Sequence, residues 1–283
     1  MASIRDHIIT GTQGLRNYSG SPRLDAELLL GFALGCSRLA LISQALEEVP
    51  LEAEDRFKEY LERRSKREPI AYIIGEQEFF GLVFNVSPAV LIPRPETELL
   101  VEHGVAEYNK RGSGTRILDL GTGSGCVVVA LASEIRRQSG SAHFTAVDKS
   151  SEAVAVARSN ASQHQVAELI DFRESDWFSA LQGETFDIIV SNPPYIEDGS
   201  DKVSPEVHFE PSSALYAGPK GTRDLIRILE DAPQLLSSSG VIFLECGHRQ
   251  GHLLTDSRIA KHFRDRSIIQ DLSGRDRVLC LRR

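Results

Sequence analysis

In "VSNPPYIED", residues 190–198, an apolar run stops at Asn192, Pro193, Pro194 and Tyr195. Asn192 brings a side-chain carbonyl, and the backbone oxygen of Pro193 is a second acceptor close by. An amide nitrogen is a poor nucleophile because its lone pair is delocalised, so a transferase must hold such an NH2 by acceptors that aim it. Pro193 and Pro194 fix two backbone torsions, and Pro193 also drives Asn192 out of the helical region. Tyr195 can close one wall by stacking on a planar group. Taken alone, the four residues also make an ordinary Asn-Pro turn.

A second constellation is "ILDLGTGSGCVVVA", where Gly121, Thr122, Gly123, Ser124 and Gly125 join an apolar run to a helical one. Glycines at such a join permit positive backbone angles and close approach of a ligand to the main chain. The spacing is GxGxG, not the GxGxxG of a dinucleotide site, and Asp119 stands two residues before the first glycine. An anion-binding loop would not welcome that carboxylate. S-adenosylmethionine carries a sulfonium and an ammonium and no phosphate, so a neighbouring acid helps its binding. Asp148, ending "HFTAVD", falls where a carboxylate accepting two ribose hydroxyls belongs. His248 and His252 are four apart in "CGHRQGH", but Gly247 and Gly251 weaken a helix there and no third ligand is evident, so no metal is expected.

The elements that must position these residues follow an alternating pattern. "TRILDL", "HFTAVD", "ELIDFRES" and "FDIIVS" read as strands, with "GCVVVALASEI" and "SSEAVAVARSNASQH" as helices between them. Residues 222–239 read as a further helix that Pro233 should kink or split, and "GVIFLEC" as a fifth strand. This alternation predicts a mostly parallel sheet covered on both faces by helices. The closing pair, "SIIQDL" and "RVLCLRR", is joined too tightly for a crossover and should run antiparallel. Ligands bind beyond the C-terminal ends of strands in such a sheet, so Asn192, Gly121 and Asp148 should face one crevice.

Residues 1–75 read as a helical N-terminal domain. Ser21 can cap a helix beginning at Pro22, with Leu24, Leu28, Leu29 and Phe32 as its apolar stripe. Arg63, Arg64, Lys66 and Arg67 read as a solvated helix end before Pro69. Residues 76–92 suggest a β-hairpin linker, and residues 93–283 form the catalytic domain. The net charge of -8 disfavours stable nucleic-acid binding, although a local basic groove is compatible with it. Cys36, Cys126, Cys246 and Cys280 form no CxxC pair and fit reduced thiols. Neither a signal peptide nor a membrane span is evident, and the cytoplasm is the expected address.

"LDLGTGSG", "AVD", "SDWFSAL" and "VSNPPYIED" together resemble class I S-adenosylmethionine-dependent methyltransferases, whose Asn-Pro-Pro-Tyr box serves planar NH2 groups of adenine, cytosine or protein glutamine. "REPIAYIIGEQEFFGLVFNVSPAVLIPRPETE", "FEPSSAL" and "LSGRDRV" narrow the resemblance to the peptide chain release factor glutamine methyltransferases, over nearly the whole chain. The resemblance implies an α/β, Rossmann-like methyltransferase fold whose last strand is antiparallel, plus a small helical domain that binds the substrate protein. It implies methyl transfer to the glutamine of the GGQ loop of class 1 release factors, with S-adenosylhomocysteine as product. By the same analogy, Gly121 to Gly125 cradle the donor, Asp148 holds its ribose, Trp177 lies beside its adenine, Asn192 also borders the donor, and Asn192, Pro193, Pro194 and Tyr195 receive the glutamine. A monomer is expected, with no stable nucleic-acid or membrane partner. No general base is evident, and positioning with electrostatics is expected to carry catalysis. A nucleic-acid amino-methyltransferase, a non-catalytic binding module and an NAD-dependent oxidoreductase are the alternatives weighed against this.

Overall fold

In a computed structural model that describes residues 2–201, 203–255 and 258–283, the chain folds as two compact units. The first holds residues 2–76 with Val203–Phe209, and the second holds residues 77–201 with Glu210–Arg283.

The first unit is built from α1 (Ile4–Leu15), α2 (Pro22–Leu34), α3 (Arg38–Ser43), α4 (Leu51–Ser65) and α5 (Ile70–Ile74). Pro22 opens α2, but the Ser21 hydroxyl donates to Asp25 Oδ1 at 3.1 Å and does not cap the helix. The buried face of α2 also differs from the expected stripe: Leu24 and Phe32 are exposed, while Ala26, Leu29, Leu30 and Ala33 enter the core. A leucine-rich helix offers more than one apolar face, and the packing against α1 and α4 selects among them.

The basic run that ends α4 is not simply solvated. Arg64 is buried and donates from Nε to Asp25 Oδ2 at 2.7 Å and from Nη1 to Glu206 Oε1 at 3.1 Å, which ties Val203–Phe209 to this unit. Breaking a buried ion pair strands its partner, so Arg64→Ala is expected to cost about 3–5 kcal/mol in urea unfolding of the full chain. A loss below ~1 kcal/mol would mean that Asp25 and Glu206 rehydrate without the guanidinium.

The hairpin of β1 (Glu76–Phe79) and β2 (Leu82–Asn85), which from Gln77 on belongs to the second unit, is followed by a 3-10 turn, Pro95–Thr97, and α6 (Glu98–Arg111). The alternating part is β3 (Thr115–Leu120), α7 (Cys126–Arg137), β4 (Ala142–Asp148), α8 (Ser151–Gln163), β5 (Ile170–Glu174), β6 (Phe186–Ser191), α9 (Arg223–Leu235) and β7 (Leu236–Glu245). α10 (Gly251–Thr255), β8 (Asp265–Gln270) and β9 (Asp276–Arg282) complete it.

The strands form one seven-stranded sheet in the order β5-β4-β3-β6-β7-β9-β8. Only β9 runs against the others, pairing antiparallel with both β7 and β8. Strands buried on both faces are mostly apolar, which is why "IIV" in β6 and "VIFL" in β7 read as continuous runs. Residues 236–239 belong to β7, not to the preceding helix, and α9 continues for two residues past Pro233 without splitting. No helix among the described residues is long and apolar enough to cross a membrane.

Candidate active site

Register fixes the site. Leu120 pairs with Val147, Asp119 with Val190, and Asp148 with Glu174, so β3, β4, β5 and β6 deliver their C-terminal ends to one edge. A cavity of about 620 Å³ lies there, within the ~300–1,000 Å³ range of small-ligand sites.

The glycine loop borders the cavity in a backbone geometry that its glycines permit. Gly121, Gly123 and Gly125 have φ of 77°, 55° and 79°, a region that costs any residue with a Cβ. The N–H groups of Gly121 and Thr122 both donate to the Val147 carbonyl at 2.9 Å, binding the loop to β4. At Gly125 a Cβ would lie 2.9 Å from Ala157 Cβ and 3.0 Å from its Cα, so the third glycine is what lets α8 come in close. Gly121, Thr122, Gly123 and Ser124 line the cavity, whereas Gly125 does not.

Asp148 lines the cavity with one oxygen on each side of the β4 turn. Its Oδ2 accepts from Gly123 N at 2.9 Å and its Oδ1 from Ser150 N at 2.9 Å. With the Lys149 N–H as well, three backbone donors use part of the roughly four lone-pair sites of the carboxylate and leave acceptor capacity for a ligand hydroxyl. Burial pushes this carboxyl above its usual value against those backbone hydrogen bonds. Asp119, buried at the cavity's lining, accepts from Thr122 Oγ1 at 2.7 Å. Its burial pushes the carboxyl up to about 7, opposed by the Thr122 and Val128 hydrogen bonds and helped by the nearby Asp148.

Trp177 follows β5 and also lines the cavity, with φ of 53°, a strained value for an aromatic residue. Its ring edge would lie 3.4 Å from a Cβ at Gly121, so the indole and the glycine loop share one wall.

Across the cavity stand Asn192 and Pro194. Pro193 is buried and Tyr195 half-buried, and neither is among the lining residues. The Tyr195 hydroxyl donates instead to Glu245 Oε1 at 2.9 Å. Asn192 Nδ2 donates to Thr97 Oγ1 at 3.0 Å, and Thr97 Oγ1 donates to Glu245 Oε2 at 2.7 Å. None of the described residues donates a hydrogen bond to Asn192 Oδ1. Leu91, Pro93 and Arg94 also wall the cavity, as do Pro211, Ser213 and Ala214. Glu210 joins these walls, accepting from Ile92 N at 3.1 Å and from the Arg94 guanidinium.

Sequence reading passed over Thr97, Glu245, Glu210 and Asn160. Asn160 lies on α8 with no exposed surface, its Nδ2 donating to Ser124 O at 2.8 Å and Asn85 O at 3.0 Å while Oδ1 accepts from Asn85 N at 2.8 Å. The glycine loop and β2 thus hang from one amide. A polar residue on the inner face of an otherwise apolar helix was the available signal. His248 and His252 do not converge: Arg249 contacts the first, and His252 is exposed beside Asp276. Among the described residues, no group of three or more His, Cys, Asp or Glu is arranged to hold a metal ion.

The fold and this cavity define a methyltransferase. A methyltransferase small domain model matches residues 95–210, and a PrmC N-terminal domain model matches residues 8–75. Similar solved structures include the hMettl16 catalytic domain in complex with MAT2A 3′UTR hairpin 6 (19% identity, 77% of this chain, 80% of that one, TM-score 0.57). Another is T. thermophilus 16S rRNA N2 G1207 methyltransferase, RsmC, in complex with AdoMet and guanosine (21% identity, 74% of this chain, 49% of that one, TM-score 0.51). These likenesses establish the fold alone.

Among curated relatives, the release factor glutamine methyltransferase of Salmonella typhimurium is 42% identical over 93% of this chain and 92% of its own length. Those of Pseudomonas aeruginosa and Escherichia coli are 43% and 40% identical, each over 92% of both chains. The chain belongs to the release factor glutamine methyltransferase family.

Proposed function

We propose that this protein transfers a methyl group from S-adenosylmethionine to the side-chain amide nitrogen of the glutamine in the GGQ motif of class 1 release factors. The observation that carries this reading is that Asn192, Asp148 and the glycine loop line one cavity, in a chain of that family. It acts in the cytoplasm, where thiols such as those of the buried Cys126 and Cys246 stay reduced.

The residues present fit the donor. Asp148 has lone pairs for ribose hydroxyls, the Trp177 ring offers a flat face for the adenine, and the buried Asp119 carboxylate sits where a cation is favoured. When bound, S-adenosylmethionine supplies an electrophilic methyl group on a positively charged sulfur. Asn192 Oδ1, with the Pro193 carbonyl as second acceptor, holds the glutamine NH2 so that its nitrogen faces that carbon. The same two oxygens stabilise the NH2 as it gains positive charge, and the nitrogen then gives one proton to solvent. Tyr195 supports this arrangement from behind through Glu245.

The direct test is to incubate the protein with labelled S-adenosylmethionine and, separately, a release factor, single-stranded nucleic acid or duplex nucleic acid. Label is expected on the release factor's GGQ glutamine. Label on nucleic acid alone would overturn the proposal.

Donor affinity should also depend on pH. In the free protein Asp119 is largely protonated below about 7, and a bound cation favours its ionised form, so binding releases a proton there. Affinity should therefore rise from pH 6 to pH 7.5 by roughly eightfold and level off above, while Asp119→Asn should flatten the profile. The same raised value works on folding in the opposite sense. It favours the fold at low pH, and that contribution is lost as pH rises from the usual carboxylate range through about 7. Calorimetric titration at the two pH values decides the matter, and a flat profile in the parent protein would remove Asp119 from the cation's vicinity.

A further inference from the structure

The hydrogen bonds behind Asn192 have a direction, and that direction determines which end of its amide meets the substrate. Glu245 ends β7 with 1% of its surface exposed and accepts two hydroxyl hydrogen bonds, from Thr97 on Oε2 and from Tyr195 on Oε1. Burial pushes this carboxyl up, and those two bonds, with Arg277, favour its ionised form against that push. A threonine hydroxyl has a single proton. With that proton on the carboxylate, Thr97 Oγ1 presents only lone pairs to Asn192, 3.0 Å away. Asn192 must answer with Nδ2, which leaves Oδ1 for the cavity.

We propose that Thr97 and Glu245 are positioning residues that lock Asn192 as an acceptor toward the substrate amide. This rests on the glutamine reading above. The two orientations of an asparagine amide have nearly the same shape, so packing alone does not choose between them. The flipped amide would set Oδ1 against the Thr97 lone pairs and turn two N–H donors toward a substrate NH2 that is itself a donor. Both contacts would be repulsive. The lock joins the turn Pro95–Thr97, the end of β6 and the end of β7, segments far apart in sequence that meet only in the folded sheet.

Three variants of the full chain test the lock. Thr97→Val keeps the side chain's shape and removes the hydroxyl, and Thr97→Ser keeps the hydroxyl. Glu245→Gln keeps the shape; because a phenol is the better donor and an alcohol the better acceptor, the new amide keeps its oxygen on Tyr195 and turns its N–H to Thr97, which reverses the relay and turns Asn192 around. With a release factor and S-adenosylmethionine, Thr97→Val and Glu245→Gln are expected to lower kcat roughly tenfold or more. Thr97→Ser should stay within about threefold of the parent. Calorimetric affinity for S-adenosylhomocysteine should change less than about twofold in all three, because the glycine loop, Asp148 and Trp177 are left unchanged. In the 15N spectrum of the donor-free protein, solvent exchange of the Asn192 side-chain NH2 should be slow in the parent and faster in Thr97→Val.

Near-parent kcat in Thr97→Val or Glu245→Gln, or equal losses in Thr97→Ser and Thr97→Val, would overturn the lock. So would unchanged NH2 exchange in Thr97→Val. If Thr97→Val does not fold, Glu245→Gln decides. A parent protein that leaves the release factor unmethylated would refute the substrate reading, and the NH2 exchange would still report whether Thr97 holds the amide.

Discussion

Asn192→Ala should leave donor binding within about twofold of the parent and lower methyl transfer on the order of 10²- to 10³-fold. The size follows from what the side chain does. Its Oδ1 aims a nitrogen whose lone pair is delocalised, and it meets charge that develops only as the new bond forms. An interaction of that kind is lost from kcat more than from KM. Donor binding should survive because the glycine loop and Asp148 are held by their own contacts with β4 and α8, and the Trp177 carbonyl by Ser175 Oγ. Single-turnover transfer, measured beside calorimetry with S-adenosylhomocysteine, separates the two effects. Near-normal turnover would remove Asn192 from this role.

Asp148→Ala should produce the reverse pattern. The carboxylate organises the loop through Gly123 N and Ser150 N, and the proposal also gives it two ribose hydroxyls. Hydrogen bonds to a charged group contribute ~1.5–3 kcal/mol each, so donor affinity is expected to fall at least ~10²-fold. At saturating donor, kcat should stay close to that of the parent, since no group that holds the glutamine has changed. Asp148→Asn, which keeps one acceptor, should fall between. Unchanged donor affinity in Asp148→Ala would contradict the ribose assignment.

The parts of this site that were legible in the sequence are those whose logic is local. A GxGxG loop behind an acid, and an Asn-Pro-Pro-Tyr box after an apolar run, fix their own backbone within a few residues. The sheet then brings Gly121, Asp148 and Asn192 to one edge by a rule that needs only strand order. Glu245, at the end of β7 beside β6, obeys the same rule, whereas Thr97, in a turn outside the sheet, does not. Their hydrogen bond spans 148 residues, and the one from Asn192 to Thr97 spans 95, so neither motif hints at the other. The role of Tyr195 was hidden for the same reason: its ring suggested a stacking wall, whereas its hydroxyl serves a buried carboxylate. In the helical unit, apolar spacing marked α2 as a helix without telling which leucines would be inside. The serines at 237–239 looked like a helix tail because the pairing of Phe186 with Leu236 that opens β7 leaves no local trace.

The order of the sheet has a consequence for the chain as it is made. Synthesis delivers β3, β4 and β5 first, with the glycine loop, Asp148 and Trp177, and then β6 with Asn192. The carboxylate at the end of β7 comes more than fifty residues after Asn192, and β9, which flanks β7 in the sheet, is later still. A nascent chain thus acquires every residue assigned to donor and acceptor before it acquires the one that sets the asparagine's direction. Competence to bind and competence to transfer are, on this chain, acquired at different times.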